Sequence, residues 1–87
     1  MNGRSILAWN LRRLRSERGV SQEALAADSE VDRAYVSEIE RRRGNATIDL
    51  LDRLAVVLEV PLIEFFREPD GKKPKPLPVG RKPRARR

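Results

Sequence analysis

The 87-residue sequence predicts a small all-α domain followed by a basic tail. Three observations carry that expectation. Apolar residues recur at helical spacing between residues 5 and 66. Good capping residues stand where those stretches begin and end. After Glu68, prolines and basic residues replace nearly everything that a core could bury.

Residues 5 to 18 carry Leu7, Leu11 and Leu14 on one stripe with Ile6 and Trp9 beside it, and Gly19 closes this first helix as a C-cap. Ser21 is a good N-cap for a second helix over about 22 to 28, built from the small residues Ala24, Leu25, Ala26 and Ala27. Asp32 caps a third helix over about 33 to 41, in which Val36 and Ile39 share a face with Leu25 and belong to the core. Small side chains on the second helix let the third cross it closely. Thr47 caps a fourth helix, with Ile48, Leu51, Leu54, Ala55 and Leu58 along one side. Pro61 suits the first turn of a short fifth helix ending near Phe66, because a missing amide proton costs nothing there. No strand is expected. Residues 1–68 form the domain, and residues 69–87, with five of the six prolines, form a largely disordered basic tail.

The composition excludes several function classes. There is no Cys, hence no disulfide framework or thiolate metal site, and no His to serve as imidazole ligand or general base. An enzyme is not expected, nor a cofactor. No apolar run approaches the ~20 residues of a membrane span, which points to a cytoplasmic protein. The net charge of +6 suggests a polyanionic partner, yet it is unevenly placed: residues 71–87 hold eight Lys/Arg and no acid, leaving eleven basic and thirteen acidic groups in residues 1–70. Any positive surface on the body that meets such a partner must therefore be local. The best candidate is Arg41-Arg42-Arg43 with arginines of the first helix. A folded part this small buries only about 60% of its unfolded surface, so dimerisation would help it.

Four blocks stand in order: Leu11-Arg-Arg-Leu-Arg15, then Gly19-Val20-Ser21-Gln22-Glu-Ala-Leu25-Ala26, then Tyr35-Val36-Ser37-Glu38-Ile39-Glu40-Arg41, then Leu50-Leu51-Asp-Arg-Leu54-Ala55-Val-Val-Leu58. This ordered set resembles the Cro/C1-type helix-turn-helix family, the lambda-repressor-like regulators. Together they extend the resemblance over roughly residues 5 to 66. It implies a five-helix DNA-binding domain in which the third helix enters the major groove of double-stranded DNA. Two turns depart from the family pattern: Glu30 and Glu59 stand where glycine is usual, so these turns are either strained or bent differently.

In a helix-turn-helix protein the N-terminal side chains of the second motif helix meet base edges. Here those are Arg33, Ala34 and Ser37, with Glu38 one step round. Arg33 is the leading candidate, since a guanidinium bonds bidentately to guanine O6 and N7; the bland alternative is a solvated arginine or phosphate clamp. Ala34 could touch a thymine methyl, and Glu38 could accept from cytosine N4. Arg41, Arg42, Arg43 and Asn45 leave the helix along the backbone path and are expected on phosphates. The resemblance adds Gln22 as a phosphate contact that buttresses the recognition helix, and Tyr35 at the groove edge with its hydroxyl toward a phosphate. It also implies that Arg15 and Glu40 form a structural salt bridge. Finally it implies a two-fold interface from Val60, Pro61, Leu62, Phe65 and Phe66, with Ile63 adding apolar surface, making a homodimer that places two recognition helices about 34 Å apart on an inverted repeat.

The leading expectation is thus a sequence-specific transcriptional regulator, repressor or activator. Glu23, Asp28 and Glu30 form an acidic edge that in activating relatives could touch RNA polymerase. Two alternatives stand beside it. One is an antitoxin-like interaction module with secondary DNA binding; the other is nonspecific binding driven by the tail.

Overall fold

The computed structural model describes residues 2–69, and among them the chain forms four α-helices and one short 3-10 helix. The tail expected from residue 69 lies outside the described residues from residue 70 onward.

Helix α1 (Gly3–Arg18) begins earlier than the expected Ser5 because the Asn2 side chain accepts the Ser5 amide at 2.9 Å and caps the first turn. It closes at Gly19, whose φ of +66° costs a glycine nothing. Helix α2 (Gln22–Ser29) starts where Ser21 Oγ accepts the Ala24 amide at 3.0 Å. Helix α3 (Arg33–Glu40) is capped by Asp32, which accepts the Ala34 amide at 3.3 Å, and helix α4 (Ile48–Leu58) by Thr47, which accepts the Leu50 amide at 3.1 Å. The two glutamate turns adopt the left-handed conformation that glycine favours, with φ of +60° at Glu30 and +59° at Glu59. They are strained, at roughly 1–2 kcal/mol each, rather than differently bent.

The expected short fifth helix is present as a 3-10 helix, Leu62–Phe66. Pro61 precedes it in extended conformation, and the Glu64 amide bonds back to Pro61 O at 3.0 Å in the tighter i to i+3 pattern. Side chains of α1 then take its terminal carbonyls. Asn10, wholly buried, donates to Phe65 O and Arg67 O at 2.9 Å each, while Arg13 donates to Glu64 O at 3.3 Å. With those acceptors satisfied from outside, five residues have no need of a longer helical ladder.

The core is one cluster. Leu7, Leu11 and Leu14 of α1, Leu25 and Ala26 of α2, Val36 and Ile39 of α3, and Leu51, Leu54, Ala55 and Leu58 of α4 close around Phe65. Each large side chain in it contributes about 1.5–3 kcal/mol by leaving water. Ile48, expected on the core side of α4, is a correction: as the first residue of the helix it is 57% exposed and lines an open groove with Phe66. Helix α1 packs on α3 and the 3-10 helix, and α2 packs on α3 and α4, so α3 is held from behind by two helices.

Candidate nucleic-acid interface

Because α3 buries Val36, Ile39 and Glu40 against its supports, its other face is left outward. Arg33 and Ala34 are exposed there, and Ser37 and Glu38 are half-exposed. Arg33 Nε stands 3.3 Å from a carboxylate oxygen of Glu23 on α2. Both side chains are largely in water, so the attraction is worth at most about 1 kcal/mol and leaves the terminal amino groups of Arg33 available. Glu38 has partners of its own: Arg41 Nη1 at 3.7 Å and Arg43 Nη1 at 4.0 Å. A base contact by Glu38 would have to replace both.

Arg41, Arg42 and Arg43 follow directly as an exposed run, with Arg42 at a φ of +66°. The Arg43 amide bonds to Glu38 O at 2.9 Å, which turns the chain away from the helix axis. Tyr35, half-buried, donates its hydroxyl to Asn45 O at 2.5 Å. Arg4, from the first turn of α1, donates to Gly44 O at 2.8 Å and to Asn45 Oδ1 at 2.5 Å. Arg4 and Asn10 escaped the sequence reading. For Asn10 there was a signal, a polar residue three places after Leu7 on an apolar stripe; for Arg4 there was none, since its partners lie some forty residues away.

Beneath this surface Arg15 and Glu40 are brought together. Arg15 Nε and Nη2 donate to the two carboxylate oxygens at 2.7 and 2.9 Å, and Arg15 Nη1 reaches Val20 O at 3.0 Å. The Gln22 amide donates to the same carboxylate at 3.0 Å, and Arg12 Nε lies 3.7 Å away. Burial alone would raise the Glu40 pKa; hydrogen bonds from Arg15 and Gln22, with the charges of Arg15 and Arg12, outweigh it and hold the carboxyl below its ordinary range. The same hydrogen bond, against some desolvation, raises Arg15. Gln22 therefore links the start of α2, through Glu40, to the end of α3.

The residues expected at a two-fold interface separate into two groups. Phe65 is a correction: it has no exposed surface and fills the centre of the core, so its ring meets no second subunit. Val60 and Leu62 are half-buried against the same cluster. Pro61 is exposed, Phe66 is 44% exposed and Ile63 is 67% exposed.

This arrangement, two helices joined by a tight turn with the second presented outward, is that of the helix-turn-helix. The Helix-turn-helix family model matches residues 11–65, and the chain belongs to the Cro/C1-type branch of that family. A hypothetical transcription factor of Neisseria meningitidis is 38% identical over 66 residues, which cover 76% of this chain and 62% of that protein. The chain thus spans less than two thirds of that relative. The crystal structure of the hypothetical transcription factor NHTF from Neisseria superposes with a TM-score of 0.75 at 37% identity, covering 78% of each chain. The restriction-modification controller protein C.Esp1396I, in a structure bound to a 19 base pair DNA duplex, gives a TM-score of 0.69 at 38% identity, covering 76% of this chain and 88% of that one. No helix among the described residues is long and apolar enough to cross a membrane.

Proposed function

We propose that this protein regulates transcription by binding an inverted repeat in double-stranded DNA as a homodimer, with α3 in the major groove. The observation that carries the reading is the outward face of α3: Arg33 and Ala34 are exposed, Ser37 is half-exposed, and the exposed Arg41, Arg42 and Arg43 follow at once. Its likeness to a controller protein solved on DNA supports it. Arg33, oriented by Glu23, reads a guanine; Ala34 and Ser37 allow close approach. The three arginines, Gln22 and Asn45 contact phosphates and set register. Glu38 restrains Arg41 and Arg43 rather than reading a base. The acidic edge of Glu23, Asp28 and Glu30 is exposed, and contact with RNA polymerase would fall there.

Selection of bound duplexes from a random pool, followed by sequencing, tests this directly. The expected product is a two-fold symmetric site with half-sites about 10 bp apart. No enrichment over the starting pool, or an enriched site lacking symmetry, would overturn the reading.

A further inference from the structure

Besides the three arginines, two residues at the loop between α3 and α4 are expected to donate to phosphates: Tyr35, near the start of α3, and Asn45 within the loop. Their hydrogen bonds divide the work differently. A tyrosine hydroxyl has a single proton to give. In Tyr35 that proton goes to Asn45 O at 2.5 Å, and the ring lies against Gly44, where a Cβ would come within 3.3 Å of Tyr35 Cε1. A phosphate oxygen only accepts, so a hydroxyl committed in this way has nothing to offer it.

Asn45 is the converse case. Its side-chain oxygen accepts from Arg4 Nη2 at 2.5 Å, while Arg4 Nε grips the neighbouring Gly44 O at 2.8 Å. The planar guanidinium thereby fixes which end of the amide faces inward. The two N–H bonds of Asn45 Nδ2 meet no acceptor among the described residues, and Asn45 is exposed. Without Arg4 the amide is free to turn its oxygen outward, where it would repel a phosphate.

We infer that Arg4 is a positioning residue for DNA binding: it orients Asn45 so that the amide Nδ2 donates to a phosphate, with Tyr35 as the strut beneath the loop. The inference rests on the proposed DNA-binding function, and its test uses the full chain on its selected site. Arg4→Met and Asn45→Ala should each weaken binding by about tenfold, the scale of one hydrogen bond to a charged group. The double variant should be no weaker than either alone, because both remove the same contact. Since Arg4 does not itself neutralise a phosphate, Arg4→Met should leave the slope of log affinity against log salt unchanged. Arg4→Lys, which keeps the charge and loses the fork, should bind as poorly as Arg4→Met. Melting temperatures report whether each variant is folded, and a purely structural Arg4 would lower them without coupling to Asn45. Additive losses, a slope reduced by about 0.9, or rescue by Arg4→Lys would overturn the inference while leaving the function standing. A wild-type chain that selects no DNA would instead overturn the function, and this inference with it.

Discussion

Glu40 has only 2% of its side chain exposed, yet its carboxyl is held in the charged form by Arg15 and Gln22, with Arg12 near by. Losing one partner of such a pair strands the other, at about 3–5 kcal/mol. Arg15→Met should cost that much in urea unfolding, whereas Arg12→Met, whose side chain is 64% exposed, should cost no more than about 1 kcal/mol. Equal losses from the two would show that Glu40 is solvated. The pH dependence follows from the sign of the shift. A carboxyl whose pKa is lower folded than unfolded contributes fully above its unfolded value, about 4.3, and that contribution disappears as pH falls through the lower folded value. Stability should therefore decline on acidification below about pH 5, less steeply in an Arg15→Met/Glu40→Met double variant. On the DNA side, two arginines should behave oppositely. Arg33→Ala should flatten base preference at one position in each half-site, a loss of about 1–3 kcal/mol of discrimination. Arg43→Ala should weaken binding to all sequences and lower the salt slope by about one. Unchanged preference at every operator position in Arg33→Ala would exclude direct readout by that residue.

At the scale of the elements, α2 and α4 each end on a glutamate in left-handed conformation. Glu59→Gly relieves roughly 1 kcal/mol or more of backbone strain. It keeps the Arg18 contact to the backbone carbonyl at 3.2 Å and loses only an exposed ion pair at 3.8 Å. Glu30→Gly is analogous, with Arg53 reaching the carbonyl at 3.4 Å. Each should raise the melting temperature by several degrees, given about 4–8 °C per kcal/mol for a domain of this size. No gain by calorimetry would mean that the glutamate side chains stabilise these turns by more than their exposure allows. These helix ends show what sequence alone conveys. Ser21, Asp32, Thr47 and Gly19 act through their own neighbours, so local chemistry was enough to place four helices. The 3-10 form of the last element is not legible locally, because it depends on Asn10 and Arg13, side chains more than fifty residues distant that occupy its carbonyls. Arg4 was invisible for the same reason, and Ile48 because periodicity marks a helix face without saying where the core beneath it stops.

At the scale of the whole molecule, the fold leaves large apolar side chains in water. A domain of this size is marginal by itself, and Ile48, Val56, Ile63 and Phe66 are all large, apolar and exposed. They are not equivalent. Ile48 and Phe66 line one groove together with Arg4, Arg43 and Asn45, beside the loop proposed to meet phosphates. Ile63 lines no part of that groove and is the most exposed side chain of the 3-10 helix. It is therefore the better anchor for a two-fold contact. Ile63→Asp should leave the domain folded, because 67% of the residue already meets water, and should shift sedimentation equilibrium from dimer to monomer. On the selected inverted repeat its affinity should fall toward that for a single half-site. Phe65→Ala should do something different: with no exposed surface to begin with, it should cost about 3–5 kcal/mol of stability and unfold much of the population before association can be read. An Ile63→Asp chain that stays dimeric would move the two-fold contact off the 3-10 helix, and Val56 on α4, 75% exposed, would be the next residue to charge.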